Sequence, residues 1–215
     1  MTVSTIEKMT AAPVSNAVAT PDSASVVMDV IRGRRSIGKM RQELPPRDAI
    51  ETILEAGTWA PCHHVTEPWR FNVIAGDARE ALGDVMAKAK VDRMTRQGKP
   101  TEGEFERAKA KALRAPVIIA VSVVPDAGPK VVEIEEVEAG AAAVQNMLLA
   151  AHSLGLATMW RTGDPAYHPV VKAFLGLTPE AHIIGFVYLG YPETTPARAR
   201  HTPHQSVTTW TGWDG

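Results

Sequence analysis

Between Ala139 and Trp160 the chain runs through 22 consecutive residues without an Asp, Glu, Lys or Arg. A stretch this long and uncharged has to leave water, into a bilayer or into a protein interior. Gln145, Asn146, His152, Ser153 and Thr158 interrupt it, and alanine rather than leucine supplies much of its apolarity, which favours the protein interior. Gly155 reads as a helix stop before a new strand. The spacing therefore predicts a helix from about Glu133 to Leu154, acidic in its first turns, and then a short strand over Ala157–Trp160. A helix that is apolar all round needs cover all round. In a chain of 215 residues one explanation is that the core covers one side and a second subunit the other.

The rest of the chain alternates helical and extended patterns with no repeat. Residues 1–24 are small, polar or Pro and lack the continuous apolar core of a signal peptide, so they are read as a disordered tail. Residues 25–215 are read as one domain, and 45% hydrophobic residues suffice for its core. Val26–Arg32 is ambiguous. Ile50, Ile53, Leu54 and Gly57 predict an amphipathic helix over 46–58. Phe71–Ala75 reads as a strand, and Asp77 with Glu80 resembles a capping box opening a helix to Lys90. Thr101 with Glu104 repeats that signature before a helix to about Arg114. Val117–Val124 and His182–Leu189 read as buried strands, the first of them central, and His168-Pro169 as the start of a helix ended by Gly176. The sum is an α+β domain with one sheet of four or five strands and an extended, polar C-terminal segment that is expected to lie against something.

With 23 Lys plus Arg against 24 Asp plus Glu, nothing in the charge balance points to nucleic acid or to a membrane surface. The single cysteine, Cys62, excludes an intramolecular disulfide framework and fits a reducing, cytoplasmic setting.

Three clusters could carry chemistry. Arg32–Lys39 packs four cations and the Ser36 hydroxyl into eight residues and suits an anion. Gly33, Gly38 and Lys39 meet the spacing of a phosphate loop, but Met40 stands where that loop needs a hydroxyl, and no helix follows directly. A solvated basic loop is the bland alternative. Cys62-His63-His64, joined to His201 and His204, invites a metal or a thiol nucleophile, but adjacent ligands do not converge easily on one ion. The third cluster, Trp160-Arg161-Thr162-Gly163, ends a buried strand with an aromatic, a cation and a hydroxyl, at the place where α/β sheets hold ligands.

Taken in order, Arg34-Arg35-Ser36, Ala60-Pro61 with Pro68-Trp69-Arg70-Phe71, and Gly140 to Asn146 leading to Gly155-Leu156 and Trp160 resemble the nitroreductase family of FMN flavoproteins. Pro61-x-His63 and Trp160-Arg161-Thr162 are most similar to its small YdjA-like branch. The resemblance runs from about Ser25 to Trp210. It implies a nitroreductase-like α+β fold: a central, mostly antiparallel sheet of four to five strands flanked by helices, in an interlocked homodimer with an extended C-terminal arm and FMN at the subunit interface. By position, Arg34, Arg35 and Ser36 would hold the ribityl chain, phosphate and carbonyl edge of the flavin. Arg198 and Arg200 would clamp the phosphate, and Trp160, Arg161 and Thr162 would lie along the ring system. Trp59 and His63 would come from the partner subunit. Val65 stands where the family often has an asparagine on the flavin, and Trp59 where the nearest branch has arginine. The implied activity is ping-pong transfer of hydride from NAD(P)H, bound transiently, to a nitroaromatic, quinone or related small-molecule acceptor. No acid–base residue is assigned as catalytic, since the flavin carries the chemistry. Alternatives are an FMN storage, sensing or delivery module, and a flavin dehalogenase or dehydrogenase.

Overall fold

The computed structural model describes residues 21–194 and 201–213. Four strands, β1 (Trp69–Ala75), β2 (Val117–Val123), β3 (Ala157–Arg161) and β4 (His182–Gly190), form one antiparallel sheet in the order β1-β2-β4-β3. The two strands with unbroken apolar runs, β2 and β4, take the central positions, where both faces are covered.

The helices are α1 (Pro21–Gly33), α2 (Arg47–Thr58), α3 (Ala78–Arg96), α4 (Glu104–Ala112), α5 (Glu133–Ser153), α6 (Asp164–Tyr167) and α7 (Pro169–Phe174). On one face of the sheet Val144, Met147 and Leu148 of α5, with Ile53 of α2, pack on Val117, Ile119, Val121 and Val187. On the other face Leu82 and Met86 of α3, Ala112 of α4 and Val171 of α7 pack on Ile118, Ala120 and Phe186. Alternation along each strand feeds these two cores. Helix α5 crosses the sheet closely, because a Cβ on Gly140 would stand 2.5 Å from Val123 Cγ2.

Several expectations need correction. The ambiguous segment at Val26–Arg32 belongs to α1, which begins at Pro21. Neither capping box forms. Asp77 already has helical angles and its side chain caps nothing, while α4 starts from Gly103 at φ 69°. Helix α3 continues past Lys90 to Arg96, where Lys90 and Arg93 pair with Asp164 and Asp92 approaches His168 at 3.5 Å. Tertiary ion pairs thus support turns that local sequence did not signal. The C-terminal segment includes a 3-10 turn at His204–Val207, and residues 201–213 are exposed throughout. Among the described residues no helix is long and apolar enough to cross a membrane.

Candidate functional site

The basic segment is placed by its main chain. After α1 ends, Ser36 bridges Thr158 in parallel and Ile37 N–H donates to Thr158 O at 2.9 Å, which lays Arg34–Ser36 along the outer edge of β3. Arg35 folds back on its own turn: Nη1 donates to Arg32 O and, at 2.9 Å, to Arg34 O. Its Nε is buried and has no hydrogen-bond partner. Among the described residues, Arg32, Arg34, Arg35 and Lys39 form no ion pair with any carboxylate. This concentration of unpaired positive charge, with an orphaned donor inside it, fits a bound oxyanion.

The same segment stands beside the end of β3, where Trp160 is fixed by an irregularity of β4. The β2–β4 register shifts between Val121 and Ser122, leaving Ile184 as the extra residue of a bulge. The Ile184 carbonyl accepts a hydrogen bond from Trp160 Nε1 at 3.1 Å, and the indole lies across Gly185, where a Cβ would stand 2.2 Å from Nε1. Trp160 keeps 37% of its surface exposed, so it offers a held aromatic face. Its neighbour Arg161 turns to the opposite side of the strand, where the guanidinium sits 5.4 Å over the Tyr188 ring. Thr162 is exposed just beyond.

Trp59 and His63 lie elsewhere. Trp59 follows the last turn of α2, 60% exposed, and His63 opens a 3-10 turn beside the start of α5, with Nδ1 3.8 Å from Glu135 Oε2. That turn leads into β1, and three inter-strand spacings, about 14 Å, separate β1 from β3. One chain therefore brings Arg34, Arg35 and Ser36 to the edge of β3 beside Trp160 and Thr162, turns the Arg161 side chain to the other face, and leaves Trp59 and His63 apart. Arg198 and Arg200 lie outside the described residues.

The His63 turn depends on a residue that sequence reading missed. His64, Val65 and Glu67 all have positive φ (54°, 56° and 47°), an uncommon state for side-chain-bearing residues. Glu136, 1% exposed, stays under them: Oε1 accepts from Thr66 Oγ1 at 2.7 Å and Oε2 from Asp126 N–H at 3.4 Å. Nothing in the run of acids on α5 marks Glu136 as the buried one. Replacing it with alanine strands the Thr66 hydroxyl, and Glu136→Ala is expected to cost about 2 kcal/mol in urea unfolding. Unchanged stability, together with unchanged protease sensitivity at residues 63–67, would contradict this role.

The sequence profile of the nitroreductase family matches residues 31–191. YdjA of Escherichia coli (strain K12), named after an NAD(P)H nitroreductase activity, is 31% identical over 180 residues, which cover 82% of this chain and 93% of that protein. YfhC of Bacillus subtilis (strain 168), similarly named, is 31% identical over 182 residues, covering 83% and 91%. Among solved structures, a nitroreductase-type protein from Desulfovibrio desulfuricans in complex with FMN superposes with a TM-score of 0.69 at 28% identity, covering 91% of this chain and 99% of that one. A nitroreductase-like family protein from Bacillus cereus gives 0.73 at 25% identity, covering 93% and 100%.

Proposed function

The chain belongs to the nitroreductase family, and from that membership we propose that it is a cytoplasmic FMN-dependent oxidoreductase that uses NAD(P)H to reduce a small electrophilic acceptor. The observation that carries this reading is the Arg32–Lys39 segment, whose cations have no carboxylate partner among the described residues and which is docked on β3 beside Trp160. The FMN complex of the Desulfovibrio desulfuricans relative and the names of YdjA and YfhC support the cofactor and the reductant.

When bound, FMN would supply the two-electron chemistry that links NAD(P)H oxidation to reduction of a nitroaromatic or quinone in alternating half-reactions. The protein supplies binding and field. Arg34 and the buried Nε of Arg35 offer charge-assisted hydrogen bonds to the phosphate and carbonyl oxygens, and Ser36 adds a hydroxyl. Trp160 provides a wall whose tilt is fixed by the Ile184 carbonyl. Arg198 and Arg200 would meet the phosphate from the far end of the chain.

A homodimer completes the site in this reading. Trp59 and His63 are too far from β3 in their own chain, whereas a second copy could present them. Ala142 and Leu149, two turns apart on α5, are only partly covered, and Trp210 and Trp213 are exposed with ring centroids 5.8 Å apart. Both features suit burial against a partner.

The test is an absorption spectrum of the purified protein after addition of FMN and then, anaerobically, of NADH or NADPH. Retained flavin absorption that bleaches with the nicotinamide is the expected result. Flavin that binds but does not bleach would favour a storage or sensing module, and absence of flavin binding would overturn the proposal.

A further inference from the structure

On the face of the sheet opposite α5, a cavity of about 210 Å³ opens between α3, α4 and the ends of β3 and β4. Met86, Ala108 and Phe186 make it apolar. An apolar cavity of about 150 Å³ holds benzene, so the space suits one aromatic ring and a small substituent.

Its polar wall is uncompensated. Tyr188 is 5% exposed as a residue, and among the described residues its hydroxyl makes no hydrogen bond. The hydroxyl itself keeps solvent contact where Tyr188 lines the cavity, and a ligand acceptor can take its hydrogen bond there. Arg161 lies over the same ring, and its side-chain hydrogen bond goes to Met159 Sδ at 3.2 Å, a weak acceptor for a guanidinium. No carboxylate pairs with Arg161 among the described residues. Asp164, the one acid lining the cavity, is already shared by Lys90 and Arg93. Lys111 adds a further cation at the rim. An apolar floor under a positive wall with a free phenol donor selects an aromatic ring that carries an anionic group.

We propose that this cavity binds a small arene carboxylate, with the ring against Met86, Ala108 and Phe186 and the carboxylate shared by the Arg161 guanidinium and the Tyr188 hydroxyl. The cavity takes Arg161 and Thr162 out of the ring-side role that the family resemblance implies for them, because Trp160 and Arg161 face opposite sides of β3. Burial pushes the Tyr188 phenol above its ordinary range, more than the nearby Arg161 and Arg114 lower it, so it remains a donor at neutral and mildly alkaline pH.

Calorimetric titration of the full-length protein with benzoate, benzamide and inorganic phosphate tests this. Benzoate is expected to bind saturably at one site per chain, benzamide and phosphate at least tenfold more weakly. Tyr188→Phe, which removes only the unpaired hydroxyl, is expected to weaken benzoate about tenfold while the protein stays folded by circular dichroism. Ala108→Leu, which fills the floor without touching a charge, is expected to abolish binding. No saturable binding of benzoate would overturn the proposal, as would benzoate binding that Ala108→Leu leaves intact. Repeating the titration with and without FMN separates the two sites: equal benzoate affinity is expected, and mutual displacement would assign Arg161 to the flavin and overturn the second site.

Discussion

Gly185→Ala is expected to destabilise the fold by about 3 kcal/mol and to release the Trp160 indole. The added Cβ would lie 2.2 Å from Trp160 Nε1, 2.6 Å from its Cδ1 and 2.8 Å from the Arg161 carbonyl oxygen. The last of these is backbone in the paired strand and cannot swing aside. Overpacking of this kind costs roughly 1–3 kcal/mol, and losing the bond from Nε1 to the Ile184 carbonyl adds about 1 kcal/mol. Urea unfolding gives the first quantity, and tryptophan fluorescence of the folded variant reports the second. A variant of normal stability with unaltered fluorescence would show that the bulge tolerates a side chain and that the indole is held by something else.

Arg35→Ala is expected to weaken FMN retention by ten- to a hundredfold, the range that corresponds to one hydrogen bond with a charged partner. Two effects combine. The buried Nε loses its place as a donor, and the two bonds from Nη1 to Arg32 O and Arg34 O disappear, so the turn that aims Arg34 and Ser36 loses its brace. Arg35→Lys keeps a cation but not the fork. It is therefore expected to fall between wild type and alanine in flavin affinity and in the rate at which NAD(P)H bleaches the flavin. Full flavin content with unchanged reduction kinetics in Arg35→Ala would remove Arg35 from the cofactor site.

What sequence alone conveyed follows burial. Strands β2 and β4 were legible because residues buried on both faces leave unbroken apolar runs, and α5 because 22 uncharged residues admit few other fates. Helix α1 was not, since its apolar residues Val26, Val27 and Ile31 are exposed in the single chain and trace no core-facing stripe. The capping signatures misled because side-chain identity at Asp77 and Thr101 does not fix the backbone angles that a cap requires. At the site, the basic segment and Trp160–Thr162 could be associated through their order along a known family pattern. Glu136 and Tyr188 could not, because whether a polar side chain in an acidic helix or an apolar strand ends up covered is decided by elements far away in the chain.

The contact between Ser36 and Thr158 has a consequence for solubility. Strand β3 is the outer strand of the sheet on its side, and an outer strand with free backbone groups is a template for pairing with other molecules. Residues 36–37 occupy that template with their own main chain over a single bridge. The cations just before them repel one another unless an anion lies between them. Whatever neutralises Arg34 and Arg35 therefore also keeps the strand edge covered, and protection from aggregation and occupancy of the basic segment rest on one and the same stretch of backbone.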